Sequence, residues 1–256
     1  MTELERASAP ILAVAGVSAT GKTTTLDQLR GSRRRAVLAE PWAALRPRPR
    51  LDVRNRAELR GVERRLLREE IKRFRRAERI AAGGRTVWLD TPPVGPLTYA
   101  RAVSALLGWE WDATRIFGAA GRTRAAPPAI QLPHLTIYLR TPIERLLARA
   151  FESSGGRDPS LAVRHLVVGL VEQEFWLTDF RVAFPARLRV MDGEIGPGTV
   201  VELAQHWEGD ARRAGTVLPE ERGCLERLLR RPARLPRRFA EPGRMVKPAA
   251  RWNRRR

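Results

Sequence analysis

Eight consecutive residues near the start of the chain have the types and spacing of a phosphate-binding loop: Gly16-Val-Ser-Ala-Thr-Gly-Lys-Thr23. They fit the pattern G-x-x-x-x-G-K-[ST] in full. The glycines allow the backbone to fold into a concave nest whose N–H groups face phosphate oxygens. The pattern therefore predicts a site for the phosphates of a nucleoside triphosphate.

Each remaining position of the loop has a chemical reason. Lys22 can reach the β- and γ-phosphates, and the Thr23 hydroxyl can ligate Mg²⁺. A helix that starts near Gly21 adds the positive end of its dipole. We predict that nine residues bind the nucleotide, and that Thr23 among them also ligates Mg²⁺: Gly16, Val17, Ser18, Ala19, Thr20, Gly21, Lys22, Thr23 and Thr24.

The elements around the loop follow an α/β rhythm. Short apolar runs predict strands at 10–15, 35–39, 86–90, 134–139 and 188–192. Helices are expected at 21–29, 55–82, 97–107, 141–152, 161–180 and 198–207, with a short helix at 220–229. Five strands separated by helices predict a parallel sheet with right-handed crossovers.

Two carboxylates lie where this sheet would bind a ligand. Glu40 follows the second predicted strand, and Asp90 ends the third. Ligands of open α/β sheets bind at the carboxyl ends of the strands, so Asp90 is a candidate for holding Mg²⁺ through water. The alternative is an aspartate that caps the turn before Pro92.

These landmarks, in this order, resemble the thymidylate kinase and deoxynucleoside kinase group of P-loop kinases over residues 10–207. Besides the loop, the resemblance rests on Glu40-Pro41, Asp90, the segment Thr136–Arg149 and Val190-Met-Asp192. It implies a P-loop NTPase fold, which is a three-layer α/β sandwich with a five-stranded parallel sheet, helices on both faces and a lid segment. It also implies ATP as the phosphoryl donor.

The resemblance and the chemistry of phosphoryl transfer suggest roles for further residues. Charge on the transferred group calls for positioned cations, and Arg145 and Arg149 lie four apart on one predicted helix face, with Arg157 in the lid. The alternative is solvated surface arginines. Glu40 is expected to orient or deprotonate an acceptor hydroxyl, as deoxynucleoside kinases imply; a capping or ion-paired glutamate is the alternative. The catalytic candidates are Lys22, Glu40, Arg145 and Arg149.

The chain departs from the family pattern on the acceptor side. Thr91-Pro92-Pro93 follows Asp90 in place of the arginine that these kinases use to hold the acceptor, and Trp42 follows Glu40-Pro41 in place of Gly-Gly. These departures put a thymidine monophosphate acceptor in doubt. The segment 107–128 is a candidate acceptor-specific loop. Five aromatic residues are candidates for stacking on a base, although each alone is more typical of a core: Trp42, Phe74, Trp88, Trp109 and Trp111.

The positive charge is concentrated at the end of the chain. The formal net charge is +20, and residues 211–256 hold 15 basic and 4 acidic residues, a net of +11. Such a segment can bind nucleic acid through its phosphates or be a solvated end. We expect a P-loop kinase-like domain at 1–209 and a basic, partly disordered C-terminal tail at 210–256.

Compartment and partners follow from composition. No apolar run approaches the roughly 18 residues that span a bilayer, and residues 1–10 lack the layout of a signal peptide. One cysteine, Cys224, excludes an internal disulfide. We expect a cytoplasmic protein without a membrane partner, acting on a small-molecule acceptor, with a homodimer as one option.

Three functions are compatible with the sequence. The leading hypothesis is an ATP- and Mg²⁺-dependent kinase of a nucleoside, nucleotide or similar small acceptor. The second is a regulatory or nucleic-acid-associated ATPase that uses the basic tail. The third is a kinase-like domain that binds nucleotide without transferring phosphate, which the missing arginine after Asp90 suggests.

Overall fold

The computed structural model of the chain describes residues 8–17, 20–43, 45–46, 55–111, 131–153, 159–192 and 197–233. Within these ranges no helix is long and apolar enough to cross a bilayer.

A five-stranded sheet runs through the centre of the structure. Its strands are β1 (Ile11–Ala15), β2 (Arg35–Leu38), β3 (Thr86–Asp90), β4 (Leu135–Arg140) and β5 (Leu188–Asp192). They lie in the order β2-β3-β1-β4-β5, and every neighbouring pair is parallel. All five residues of β1 are buried, as expected for a central strand covered on both faces.

Seven helices surround the sheet. They are α1 (Lys22–Leu29), α2 (Arg56–Ala82), α3 (Gly95–Leu106), α4 (Ile143–Ser153), α5 (Pro159–Glu174), α6 (Pro197–Ala214) and α7 (Pro219–Arg230) among the residues described. Helix α5 continues through a π-helical segment, Phe175–Phe180, and one more α-helical turn, Arg181–Ala183. Short 3₁₀ turns lie at Pro41–Ala43 and Pro185–Arg187.

The strand pleat sorts side chains into two cores, one on each face of the sheet. Leu12 and Val14 of β1 face the layer formed by α1 and α6, where Leu26 and Trp207 pack on them. Alternate residues of β1 face the opposite layer, where α2 covers the sheet beside β2 and β3. Helices α3 and α7 and the end of α5 complete this second layer. The predicted three-layer fold with a five-stranded parallel sheet is confirmed.

Helix α6 is longer than its sequence pattern indicates. The pattern ends near Trp207, but the helix continues to Ala214. Glu208 accepts hydrogen bonds from Arg35 Nε at 2.6 Å and from Trp88 Nε1 at 3.1 Å, which ties this part of the helix to β2 and β3. The domain boundary predicted at residue 209 therefore falls inside a helix.

Helix α7 is packed on the body of the protein. Leu225 and Leu229 are fully buried, and Arg187 forms a two-pronged ion pair with Glu221 at 2.5 and 2.7 Å. The first part of the segment predicted as a tail thus belongs to the second layer. Residues 234–256 lie outside the described residues.

Candidate functional site

Three candidate site residues meet at one edge of the sheet. Val14 of β1 lies beside Asp90 of β3 in the parallel register, and β2 lies on the other side of β3. Because the strands are parallel, Gly16 after β1, Glu40 after β2 and Asp90 at the end of β3 share the carboxyl edge. This is the edge at which open α/β sheets bind their ligands.

The loop after β1 has the backbone of a nest. Gly16 has φ +149°, and a Cβ there would lie 2.7 Å from Thr20 Oγ1 and 2.9 Å from the Leu139 carbonyl oxygen. Gly21 caps α1 with φ +94°. Both positions favour glycine because their φ angles are positive, and Gly16 also lacks the space for a side chain. Ser18 and Ala19, also predicted to bind nucleotide, lie outside the described residues.

Lys22 is folded back over this loop. Its Nζ donates hydrogen bonds to the carbonyl oxygens of Gly16 at 2.8 Å and Val17 at 3.0 Å. The Thr20 hydroxyl also donates to the Val17 carbonyl, at 2.9 Å. Thr23 follows in the exposed first turn of α1. The lysine therefore lies on the nest, as phosphate binding requires.

Two helices support the loop from behind. Val17 packs against Leu146 of α4 and Leu170 of α5. A Cβ on Gly169 of α5 would lie only 2.2 Å from Val17 Cγ1. The backbone of α5 therefore lies directly against the loop, and glycine makes this approach possible.

Glu40 and Asp90 are half-buried carboxylates beside the loop. Burial raises the pKa of both, and the Lys22 ammonium opposes that rise. Asp90 in turn helps to raise the pKa of Glu40, so the two carboxylates lie within electrostatic reach of each other. Asp90 Oδ1 is buried and has no hydrogen-bond partner among the described residues.

The oxygen donors present fit a magnesium site. Asp90 has an unpartnered carboxylate oxygen, and the Thr23 hydroxyl follows Lys22 at the same end of the sheet. Mg²⁺ in phosphoryl-transfer sites keeps several waters and takes one or two protein ligands plus phosphate oxygens. The described residues contain no group of three or more His, Cys, Asp or Glu that could hold a metal ion.

Arg73 of α2 is a site residue that the sequence reasoning missed. Its guanidinium pairs with Glu70 at 2.6 Å and donates to the carbonyl oxygens of Asp90 and Thr91, each at 2.6 Å. Thr91 has a left-handed φ of +69°, so this arginine holds an unusual turn at the end of β3. The feature that could have identified Arg73 is its position in the helix, since Glu70 and Arg73 lie on the same buried face of α2 as Phe74.

Glu172 of α5 is a second missed residue. It accepts a hydrogen bond from the Thr98 hydroxyl of α3 at 2.9 Å. Burial raises its pKa to about 7, while the Thr98 hydrogen bond and Lys22 oppose the rise and Glu40 adds to it. Glu172 is therefore a third carboxylate in the electrostatic reach of Lys22. No motif in the sequence pointed to it.

The two candidate arginines lie on α4, which is in contact with the loop through Leu146. Arg145 is exposed. The side chain of Arg149 and the whole of Arg157 lie outside the described part of the structure. Their contacts with a γ-phosphate remain predictions.

Two of the aromatic candidates for base stacking are core residues. Trp88 is fully buried against Trp207, and Phe74 is buried under β2 and β3. Trp42 is half-buried in the 3₁₀ turn that follows Glu40, so it remains a candidate.

The described start of the predicted acceptor loop lines a cleft. Trp109 and Trp111, together with Glu63 of α2, border a small, shallow cleft. Trp111 is fixed by a hydrogen bond from its Nε1 to the Leu229 carbonyl oxygen at 2.7 Å. The remainder of the loop, 112–128, lies outside the described residues.

Solved structures share this fold at low sequence identity. A deoxyadenosine kinase from M. mycoides with bound dATP is 14% identical and superposes with a TM-score of 0.53, covering 78% of this chain and 99% of that chain. The same enzyme with bound dCTP gives 13% identity and the same TM-score, over 78% of this chain and 98% of that one. A thymidylate kinase from Candida albicans is 11% identical with a TM-score of 0.50, over 82% of this chain and 96% of that chain.

Comparison by sequence finds neither a matching family model nor a matching curated protein. The solved structures thus confirm the resemblance to P-loop kinases, and they do so at the level of fold.

Proposed function

We propose that this protein transfers the γ-phosphoryl group of ATP to a small acceptor of the nucleoside or nucleotide type. One observation carries the proposal: Lys22 lies on the phosphate-binding nest and interacts electrostatically with Glu40 at the same edge of the sheet. A lysine for donor phosphates next to a half-buried carboxylate is the arrangement that phosphoryl transfer to a hydroxyl needs.

The donor side of the reaction belongs to the loop. Its backbone N–H groups hold the phosphates, and Lys22 neutralises charge on the β- and γ-phosphates. Thr23 and Asp90 would hold Mg²⁺, which when bound neutralises further charge on the transferred group. Arg145 and Arg149 would approach the γ-phosphate from α4.

The acceptor side belongs to Glu40. The acceptor hydroxyl oxygen bonds to the γ-phosphorus, the bond from that phosphorus to the bridging oxygen breaks, and ADP leaves. Glu40 orients the hydroxyl and takes its proton. Solved structures of the same fold are described as a deoxyadenosine kinase and a thymidylate kinase, which supports an acceptor of this general class.

The experiment is an acceptor screen that measures ADP release from ATP and Mg²⁺. At least one nucleoside, nucleotide or related hydroxyl compound should stimulate release, and the phosphorylated product should be found by mass spectrometry. Glu40→Gln should lower kcat by about 100-fold or more, because it removes the proton acceptor. Glu69→Gln is the matched control, since Glu69 lies on the surface of α2, where it pairs with Lys72. Equal rates for the two variants would remove Glu40 from the mechanism.

The same screen also tests two other functions. ADP release that requires DNA or RNA, with steep salt dependence, would favour a nucleic-acid-associated ATPase. ATP binding without any acceptor-dependent turnover would favour a domain that only binds nucleotide.

A further inference from the structure

The long helix α2 carries a stripe of positive charge on its outer surface. Five basic residues follow one another at intervals of four, four, three and four positions, and all of them are exposed: Arg64, Arg68, Lys72, Arg75 and Arg79. With about 3.6 residues per turn, these intervals keep the five side chains within an arc of about 80° around the helix. At a rise of about 1.5 Å per residue, the stripe extends over roughly 22 Å of the helix.

The fold determines that this stripe faces away from the sheet. On the opposite side of α2, Phe74, Ala77 and Ala81 are buried against residues of β1, β2 and β3. Arg73 also lies on that inner side, where it donates to the carbonyl oxygen of Asp90 at 2.6 Å. The stripe therefore points away from the end of β3 and from the candidate site.

No acidic residue of α2 interrupts the stripe. The helix contains five glutamates, of which two are buried and three lie to the sides of the stripe: Glu63, Glu70, Glu58, Glu69 and Glu78. The ion pair between Glu69 and Lys72, at 2.7 Å, joins one of these borders to the stripe. The outer surface of α2 thus presents one sign of charge along its centre.

A helix that is only solvated gains from mixing the two signs of charge. Like charges three or four residues apart on a helix repel each other, whereas opposite charges attract. Helix α7 shows such a mixture, with three acidic and three basic residues: Glu220, Glu221, Glu226, Arg222, Arg227 and Arg230. The abundance of arginine in the chain therefore does not by itself produce a stripe, and a polyanionic partner would relieve the repulsion along α2.

Two tryptophans lie where the N-terminal end of the stripe turns around the helix. Arg60 and Arg56 continue from Arg64 at intervals of four, and a row of this kind is inclined to the helix axis. Both arginines line the small, shallow cleft that Trp109 and Trp111 border. The row of positive charge thus leads to two indole rings, both half-buried.

We propose that the outer face of α2 binds a single-stranded nucleic acid, whose phosphates lie along the stripe and one of whose bases stacks on Trp109. Surfaces that bind single strands combine these two elements, basic side chains that follow the backbone and aromatic rings that stack on bases. A duplex offers similar phosphates but keeps its bases stacked on one another, so Trp109 is the feature that favours a single strand. Phosphate contacts carry no sequence information, so the binding is independent of sequence.

This function is additional to phosphoryl transfer, and it does not depend on the acceptor that the candidate site uses. Its first test is a titration of the full chain against a fluorescently labelled oligothymidine of about 20 nucleotides, more than the roughly 4–16 that one single-strand-binding fold covers. Fluorescence anisotropy gives the dissociation constant at several salt concentrations, for wild type and for the variant Arg64→Gln/Arg68→Gln/Arg75→Gln.

The triple variant should bind the oligothymidine at least about tenfold more weakly at about 0.1 M salt, because three phosphate contacts are lost. The slope of the logarithm of the association constant against the logarithm of the salt concentration should also become less steep by about 2. Each phosphate of a single strand that a cation neutralises contributes about 0.7 to that slope.

The matched control removes three positive charges elsewhere, in the variant Arg181→Gln/Arg212→Gln/Arg227→Gln. These arginines are exposed at the end of α5, on α6 and on α7, so the net charge falls by the same amount. The control should keep the affinity and the salt slope of wild type. Equal affinities of the two triple variants, or a wild-type protein that does not bind the oligothymidine, would overturn the inference.

An abasic strand separates stacking from phosphate contacts, because it carries the same phosphates without bases. Wild type should bind oligothymidine about 5- to 150-fold more tightly than an abasic strand of equal length. Trp109→Leu keeps an apolar side chain in the cleft and should lose this preference, while its affinity for the abasic strand stays that of wild type. A preference that survives in Trp109→Leu, or that is absent from wild type, would refute the assignment of a single strand.

Vesicles that contain anionic phospholipids test the other partner that a basic surface attracts. The apolar side of α2 is packed on the sheet and is not available to enter a bilayer, as the helix of a membrane-surface protein does. The three stripe substitutions should therefore weaken binding to the oligothymidine more than binding to the vesicles. If they weaken only the binding to vesicles, the partner is a membrane surface and the assignment of nucleic acid is wrong.

Discussion

The side-chain nitrogen of Lys22 lies 2.8 Å from the carbonyl oxygen of Gly16, the first residue of its own loop. The positive charge of Lys22 also acts on three carboxylates, Glu40 after β2, Asp90 at the end of β3 and Glu172 on α5. It opposes the rise in pKa that burial causes in each of them. One lysine therefore connects the phosphate-binding nest with three carboxylates around the site.

Gly16→Ala should abolish tight ATP binding. The new Cβ would lie 2.7 Å from Thr20 Oγ1 and 2.9 Å from the Leu139 carbonyl oxygen, and φ +149° is strained for any other residue. We expect a loss of stability of about 1–3 kcal/mol and a larger effect on the ATP dissociation constant, measured by calorimetry. Gly31→Ala, where a Cβ meets no atom of the described residues within 4 Å, should leave both quantities unchanged; equal effects of the two substitutions would contradict the close approach at Gly16.

Gly169→Ala should weaken ATP binding although the residue lies on α5. Its Cβ would lie 2.2 Å from Val17 Cγ1, so helix or loop must shift. Overpacking of this kind costs about 1–3 kcal/mol, and the displaced loop should bind ATP less tightly in a titration. Gly61→Ala in α2, where a Cβ meets nothing within 4 Å in the described part of the chain, should instead stabilise the protein by up to about 1 kcal/mol. Wild-type ATP affinity in Gly169→Ala would refute the role of this contact.

Arg73→Met should strongly destabilise the fold. It leaves the carboxylate of Glu70 buried without its partner, which costs about 3–5 kcal/mol in comparable cases. Adding Glu70→Gln should recover part of the loss in urea unfolding, because the unpaired charge is removed. The control is Lys72→Met, since its pair with Glu69 is exposed and worth about 0–1 kcal/mol. If Arg73→Met and Lys72→Met lower the free energy of unfolding equally, the buried pair contributes no more to stability than the exposed one.

Glu172 should make stability depend on pH. Burial raises its pKa in the folded protein to about 7 from 4.5, so between these values the folded state binds the proton more tightly than the unfolded chain. Stability is therefore lost as pH rises from about 4.5 to about 7. Glu172→Gln lacks this dependence, so its Tm relative to wild type should increase from pH 5 to pH 8. A Tm difference that is flat, or that falls with pH, would contradict the raised pKa.

The sequence predicts the fold better than it predicts the site. The five strands and the loop follow from local apolar runs and one complete motif, which need no information about distant residues. The end of α6 was missed because Glu208 reads as a solvated residue until its contacts with Arg35 and Trp88 are known. The packing of helix α7 on the body of the protein was missed for the same reason, since the ion pair between Arg187 and Glu221 joins segments that are distant in sequence.

The predicted site residues that meet at the edge of the sheet lie near strand ends, whereas those that the sequence misses lie on helices. Lys22, Glu40 and Asp90 were predicted because the carboxyl ends of parallel strands meet at one edge. Arg73 and Glu172 come from helix faces, and only three-dimensional packing shows which charged residues of a helix turn inward.

The most direct test is ADP release by Lys22→Ala in the presence of a productive acceptor. We predict that acceptor-dependent release falls to background, because the cation shared by the donor phosphates and the acceptor carboxylates is lost. Lys72→Ala, the same substitution at an exposed lysine of α2, should retain wild-type turnover. Normal acceptor-dependent turnover in Lys22→Ala would contradict the account.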